Sequence, residues 1–188
     1  MDPVNVHLVP LSARHSGDIQ TLASDEAIAR WTMIPHPYPP GAALAFVDRA
    51  QRMRARGAHE TFAVCEAGGG FLGVALLVRD DQIPARAELG YWIGRPYWGR
   101  GYATAAARRL LGHGFDRMGL EVVGARCLSA NRASARVIEK LGFRFVGLEA
   151  SPTLKRPAEP VRRYELARRD WRRAPVEDRV HTPDARSI

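Results

Sequence analysis

The most informative part of the sequence is Arg95-Pro96-Tyr97-Trp98-Gly99-Arg100-Gly101-Tyr102-Ala103-Thr104. Gly99 and Gly101 are one residue apart and can adopt backbone angles that residues with a Cβ atom avoid. Successive main-chain N–H groups in such a turn form a concave anion site, and the N-terminus of a following helix adds positive potential. The stretch is therefore a candidate phosphate-binding turn, although Gly-x-Gly alone is equally compatible with a plain tight connection.

The flanking residues predict a strand before this turn and a helix after it. The segment 87–93 is rich in aromatic and aliphatic residues, which is typical of a strand. After the turn, apolar residues recur at three- and four-residue spacing, as on the buried face of a helix: Ala103, Ala107, Leu110, Leu111, Phe115 and Met118. Two established phosphate motifs are excluded, because Gly101 is not followed by Lys-Ser/Thr and Thr104 does not supply a third glycine.

A second strand and helix follow about thirty residues later. The segment 121–128 is strand-like, and Asn131-Arg132-Ala133-Ser134 begins a short helix. That helix is expected to end at Gly142, a residue type common just past a helix C-terminus. Another strand is predicted from Phe143 onward.

These motifs, in this order, resemble the GCN5-related N-acetyltransferase (GNAT) superfamily, and within it the RimJ/RimL-type, ribosomal-protein-alanine N-acetyltransferase-like branch. The segments that carry the resemblance are 88–93, 96–104, 131–134 and 139–143, with weaker likeness at 34–38 and 163–166. The resemblance covers about residues 5–170. It implies an α/β (α+β) GNAT fold, in which a mixed, mostly antiparallel twisted sheet splays between strands 4 and 5 and is flanked by about four helices.

The resemblance also implies acetyl-CoA as the acyl-donor cosubstrate, lying in the gap between those two strands. Its pyrophosphate would bind main-chain N–H groups of the glycine turn, and its pantetheine arm would pair with strand 4 like an added strand. The residues that the resemblance assigns to the cofactor are Tyr91, Trp92, Ile93, Trp98, Gly99, Arg100, Gly101, Tyr102, Ala103, Thr104, Asn131 and Ser134. No metal is expected, because a thioester is already activated.

Glu88 and Ser134 are the candidate catalytic residues. The attacking amine must be neutral, so a carboxylate bordering the gap could serve as general base. The alternative is that Glu88 only pairs with Arg86 or Arg95. The acid is less obvious, because many GNAT enzymes carry a tyrosine where this chain has Ile138. Ser134 is the substitute that the branch suggests, unless it only caps its helix.

The aromatic, proline-containing loop 31–38 is expected to line the acceptor side, through Trp31, His36 and Tyr38. Plain packing is an equal alternative for these three residues. The favoured acceptor is the N-terminal α-amino group of a protein or peptide, because the loop contains no acidic residue. The alternatives are a small amine (polyamine, antibiotic or amino acid) and a non-catalytic acyl-CoA-binding sensor.

The composition indicates one domain over residues 1–171, followed by a flexible basic tail over residues 172–188. The chain has 188 residues, 46% hydrophobic and 26% charged, which is ordinary for a globular protein. The net charge is +8, and half of it lies in residues 151–188. The tail could therefore contact the ribosome or nucleic acid, and a basic RNA-associated module is a further alternative. Such tails are more often simply solvated.

Membrane association, secretion and metal binding are not expected. The sequence has no apolar run near the length of a membrane span and no signal-peptide pattern, so we expect a cytoplasmic protein, monomeric or homodimeric. The two cysteines, Cys65 and Cys127, fall in strand-like segments and are expected to be free buried thiols. The six histidines show no ligand spacing with these cysteines.

Overall fold

The computed structural model describes residues 4–150 and 159–171. The strands are β1 (Val6–Pro10), β2 (His59–Glu66), β3 (Phe71–Arg79), β4 (Arg86–Ile93), β5 (Val122–Leu128), β6 (Arg144–Glu149) and β7 (Val161–Ala167). The helices are α1 (Ser16–Ala23), α2 (Glu26–Trp31), α3 (Ala42–Ala55), α4 (Tyr102–Asp116), α5 (Arg132–Lys140) and α6 (Arg168–Trp171).

The strands form one seven-stranded sheet in the order β1-β2-β3-β4-β5-β7-β6. All neighbouring strands are antiparallel except β4 and β5, which are parallel. The predicted mixed, mostly antiparallel sheet is therefore confirmed. Four of the six α-helices have eight or more residues, while α2 has six and α6 has four.

Helices cover the two faces of the sheet and create two hydrophobic cores. On one face α4 buries Leu110, Leu111 and Phe115 completely. On the other face α1 and α3 bury Ile19 and Val47 against β2 and β3. In β2, Phe62 and Val64 enter the first core and Ala63 and Cys65 the second, because successive strand side chains point to opposite faces.

Helix α4 lies close to the sheet because glycine stands where the two layers meet. A Cβ atom on the buried Gly114 would lie 2.8 Å from Cδ1 of Leu77 on β3, closer than real contacts allow. The preceding turn fixes the start of the helix, where Gly101 has φ +85°. Gly101 therefore fixes where α4 begins, and Gly114 lets its last turn lie against β3.

Other predictions have mixed outcomes. Cys65 and Cys127 are free and buried, which confirms the prediction for both thiols. The tail at residues 172–188 lies outside the described residues, and the single domain over 1–171 stays a prediction. Within the described part of the chain, no helix combines the length and apolar character needed to cross a membrane.

We predict that Gly73→Ala lowers the free energy of unfolding by about 2–3 kcal/mol, because the new methyl group would overlap the backbone of β4. A Cβ atom on Gly73 would collide with the carbonyl oxygen of Trp92 and lie 2.9 Å from Cα of Ile93. Gly68→Ala is the matched control, since nothing would lie within 4 Å of its Cβ. Urea denaturation checks both variants, and equal midpoints would contradict this packing argument.

Candidate functional site

The site begins where β4 and β5 stop pairing. Their parallel ladder runs from Arg86 opposite Val122 to Leu89 opposite Ala125 and goes no further. Both strands continue beyond it, to Ile93 and Leu128 respectively. The sheet therefore splays between its fourth and fifth strands, as predicted, and exposes the edge of each strand to the gap.

A single cavity of about 1050 Å³ passes through this gap. Strand alternation divides its wall into two parts. The donor arm lies on the α4–α5 side and includes Tyr91, Tyr97, Gly101, Cys127, Asn131 and Ser134. The acceptor arm lies on the α1–α3 side and includes Ile28, Trp31, Tyr38, Phe46, Arg49 and Trp92.

The glycine turn forms one end of the donor arm. Gly99 and Gly101 have φ of +77° and +85°, the left-handed region that glycine adopts without strain. The first turn of α4 contains no acidic residue, so its exposed N–H groups and helix dipole favour an anion. Gly99, Gly101, Tyr102, Ala103 and Thr104 line the cavity, as does Trp98, whereas Arg100 is not among its lining residues.

The free edge of β4 offers less backbone than the sequence suggests. The Gly94 N–H donates to the Leu72 carbonyl on β3, at 2.8 Å. Backbone groups of successive strand residues point to opposite sides, so those of Ile93 and Tyr91 point away from β3. That alternation directs the backbone groups of Tyr91 into the gap. The Ile93 carbonyl, however, accepts a 2.5 Å hydrogen bond from the indole N–H of Trp98. Trp98 thus links the end of β4 to the glycine turn. Its hydrogen bond uses the Ile93 carbonyl, which was predicted to pair with the pantetheine arm.

At the start of α5, Asn131 and Ser134 are brought together with Tyr91. The Asn131 side-chain oxygen accepts from the Ser134 N–H at 3.0 Å and caps the helix. The Ser134 hydroxyl lies 3.0 Å from the Tyr91 hydroxyl. Burial raises the pKa of Tyr91 to about 12, so this phenol is protonated at neutral pH. Sequence reasoning placed only the backbone of Tyr91 in the site, and the signal for its side chain was its position two residues from Leu89 and Ile93 on one face.

Glu88 lies in a smaller cleft of about 310 Å³ beside the main cavity. Its carboxylate is 3.0 Å from Nε of Arg126. Arg126 lines the main cavity, whereas Glu88 is not among its lining residues. Burial raises the pKa of Glu88, although the positive charge of Arg126 partly opposes that change. The carboxylate lies over Gly124 of β5, where a Cβ atom would be 2.5 Å from Oε2.

Arg126 is a site residue that the sequence interpretation missed. It lines both the cavity and the smaller cleft, and it contacts Glu88 at 3.0 Å and Glu149 at 3.4 Å. The available signal was an arginine in β5 two residues after Gly124, on the face that carries Glu88. The two arginines suggested as alternative partners of Glu88 pair with other residues: Arg86 lies 2.6 Å from Glu165, and Arg95 lies 3.8 Å from Asp25.

The acceptor-side residues are only partly brought together. Trp31 and Tyr38 line the cavity, and burial raises the pKa of Tyr38. His36 is exposed and is not among the lining residues. Ile138 lines the donor arm but is nearly fully buried and carries no titratable group. In residues 4–150 and 159–171, no three acidic, histidine or cysteine side chains come together in a possible metal site.

The chain is similar to known acetyltransferases in sequence. Residues 5–144 match the family described as Acetyltransferase (GNAT) domain. A protein of Bacillus subtilis (strain 168), provisionally named as the ribosomal N-acetyltransferase YdaF, is 36% identical over 75 residues, which are 40% of this chain and 41% of that protein. Such matches cover less than half the length of the first curated relatives, 38% and 41%.

Solved structures share the fold over nearly their whole length. A RimL ribosomal L7/L12 α-N-protein acetyltransferase in complex with coenzyme A has a TM-score of 0.79 at 17% identity, covering 88% of this chain and 96% of that chain. A spermidine N-acetyltransferase from Vibrio cholerae, in complex with CoA and spermine, has a TM-score of 0.76 at 19% identity, covering 88% and 97%. The splayed sheet, the glycine turn at the start of α4 and the family match over residues 5–144 agree, and the chain belongs to the GNAT acetyltransferase domain family.

Proposed function

We propose that the protein transfers an acetyl group from acetyl-CoA to a primary amine, and that its favoured acceptor is the N-terminal α-amino group of a protein or peptide. The observation that carries this proposal is the continuous cavity. It connects the glycine turn, through the gap between β4 and β5, to the loop after α2. A donor and an acceptor can therefore enter from opposite faces of the sheet and meet at the gap.

The chemistry of the donor arm fits coenzyme A. The glycine turn and the start of α4 would hold the pyrophosphate, and the backbone of Tyr91 would hold the pantetheine arm. The side-chain amide of Asn131 keeps its N–H groups for a ligand, because only its oxygen caps α5. Arg136 and Lys140 of α5 add positive charge to this arm. When bound, acetyl-CoA supplies an acyl group already activated as a thioester.

Glu88 is the proposed general base, acting through water. Its carboxylate is on the acceptor face, two residues from Gly90, which lines the cavity. Burial supports this role, since a raised pKa makes a carboxylate a better proton acceptor near neutral pH. The positive charge of Arg126 opposes part of this rise in the pKa, and its hydrogen bond holds the carboxylate over Gly124.

Tyr91 and Ser134 are proposed to deliver the proton to the departing thiolate. The two hydroxyls are 3.0 Å apart, so a proton given up by one can be replaced from the other. A phenol from β4 thereby takes the place of the tyrosine that position 138 lacks. An acyl-CoA-binding sensor would need no proton donor near the thiol, so this pair of hydroxyls supports a transferase over a sensor.

The acceptor is proposed from the chemistry of the cavity wall. A polyamine needs carboxylates, yet none of the described residues that line the cavity is acidic. This supports a peptide amine over a polyamine, although a spermidine acetyltransferase shares the fold. A small amine without several positive charges remains the second candidate, because the apolar and aromatic residues of the acceptor arm could bind one as well.

We predict that Gly101→Glu weakens coenzyme A binding at least about tenfold. The new carboxylate would bring negative charge to the proposed anion site, and the φ of +85° at this position would be strained in a residue with a Cβ atom. Gly119→Ala is the matched control, since its φ of +68° imposes similar strain beyond the end of α4. Isothermal titration calorimetry checks both. Unchanged affinity of Gly101→Glu would remove the turn from the cofactor site.

We predict that Glu88→Gln lowers kcat about 100-fold at neutral pH and less at high pH, where the amine is neutral without a base. In the unaltered protein, activity should fall as pH drops through the raised pKa of Glu88, because the base becomes protonated. Arg126→Gln removes the opposing positive charge, so it should move this acid limb of the pH–kcat/KM profile to higher pH.

Arg163→Gln is the control for that shift, because Arg163 lines the same cleft and pairs with Glu149 rather than Glu88. Its acid limb should stay in place. A Glu88→Gln profile identical to that of the unaltered protein would exclude Glu88 as the base.

We predict that Tyr91→Phe and Ser134→Ala each lower kcat about 10- to 100-fold without weakening coenzyme A binding more than about twofold. Because the two hydroxyls act in one chain, the double variant should be no slower than the slower single variant. Steady-state kinetics and calorimetry measure the two effects. Multiplicative losses, or losses confined to coenzyme A affinity, would contradict a shared proton path.

A further inference from the structure

The acceptor arm is mainly an apolar, aromatic pocket. Its walls come from α2, the loop that follows it, α3, and the α3-facing residues of β3 and β4. Trp31, Tyr38, Phe46 and Trp92 supply aromatic surface, and Ile28 and Leu76 supply aliphatic surface. A group placed between these side chains loses its contact with water, so the pocket favours an apolar substituent on the acceptor.

Two charged side chains break this pattern among the described residues on the acceptor face, Arg49 of α3 and Arg126 of β5. The other basic lining residues, Arg136 and Lys140, are on α5. Arg126 is already paired with Glu88 and Glu149. Arg49 is therefore the positive group that an acceptor in this arm would meet.

Arg49 is exposed, and its guanidinium lies beside an aromatic ring. The group lies over the Phe46 ring, 5.9 Å from its centroid, which favours a cation at that position. None of the ion pairs in the described part of the chain includes Arg49. The charge of Arg49 also reaches Tyr38, where it opposes the rise in the pKa of the phenol caused by burial.

We propose that the acceptor arm selects an amine that carries both an apolar side chain and a carboxylate, and that Arg49 binds this carboxylate. The proposal rests on the acetyltransferase function proposed above and specifies its substrate class. The carboxylate has two sources with the same chemistry: the α-carboxylate of a free amino acid, or an acidic side chain near the N-terminus of a peptide. Arg49 would bind either one as a charge-assisted hydrogen-bond donor, oriented by Phe46.

The test is an acetyl-CoA-dependent thiol-release assay with matched acceptors. One pair is phenylalanine against phenylalaninamide, and a second pair is the peptide amides Phe-Glu-Ala and Phe-Gln-Ala; spermidine is a fifth acceptor. We expect the acid of at least one pair to exceed its neutral counterpart about tenfold in kcat/KM, and to exceed spermidine as well. The pair that shows the difference identifies the source of the carboxylate.

Arg49→Ala should abolish the preference by slowing the acidic member of that pair, and Arg49→Lys should retain part of it. Arg49→Glu should reverse it. Arg52→Ala is the matched control, because Arg52 is an exposed arginine on the same helix that does not line the cavity. Equal kcat/KM within both pairs, or an undiminished preference in Arg49→Ala, would overturn the assignment.

A binding measurement separates this proposal from the function on which it rests. Calorimetry of N-acetylphenylalanine and N-acetylphenylalaninamide, with coenzyme A present, needs no turnover. If no amine is acetylated, the proposed function fails, and a tenfold preference for the acid that disappears in Arg49→Ala would still support the carboxylate site. Equal binding of the two compounds would contradict it.

Discussion

Pairing between β4 and β5 ends after Leu89 and Ala125, and the gap that this leaves is what makes the candidate site possible. A continuous sheet would satisfy these backbone groups internally and leave no passage between its faces. Because the ladder ends early, the edge of β4 at Tyr91 can pair with a ligand, and the two cavity arms connect. The Trp98 indole, bonded to the Ile93 carbonyl, fixes the end of that edge against the glycine turn.

Strand alternation then assigns opposite tasks to neighbouring residues of β4. Leu89, Tyr91 and Ile93 face the α4 side, whereas Glu88, Gly90 and Trp92 face the side of α1–α3. One strand thus carries the proposed acid into the donor arm and the proposed base onto the acceptor face. Gly124, opposite Glu88, leaves room for the carboxylate to fold toward Arg126. The acid–base pair is separated by the sheet itself.

Much of the fold followed from local patterns. The apolar spacing after Tyr102 matches α4, which runs from Tyr102 to Asp116, and Asn131 is the N-cap of α5 as its residue type favours. The strand-like segments 87–93 and 121–128 correspond to β4, which begins one residue earlier at Arg86, and to β5, which begins one residue later at Val122. Such features depend on neighbours in the sequence, so the sequence alone carries them. The two residues that mattered but were missed, Arg126 and the Tyr91 hydroxyl, take their meaning from partners 38 and 43 residues away.

By itself, the sequence determined the order of strand, glycine turn and helix, because periodicity and the conformational freedom of glycine are local properties. Together with the helix that begins at Asn131, that order indicated the family and made the glycine turn a candidate phosphate site. Only the tertiary structure decided which polar groups meet: Glu88 with Arg126, Tyr91 with Ser134, and Arg49 with the aromatic wall. It also left His36 outside the cavity. The physical reason is that charge pairing and burial depend on distances across the sheet, which spacing along the chain does not fix.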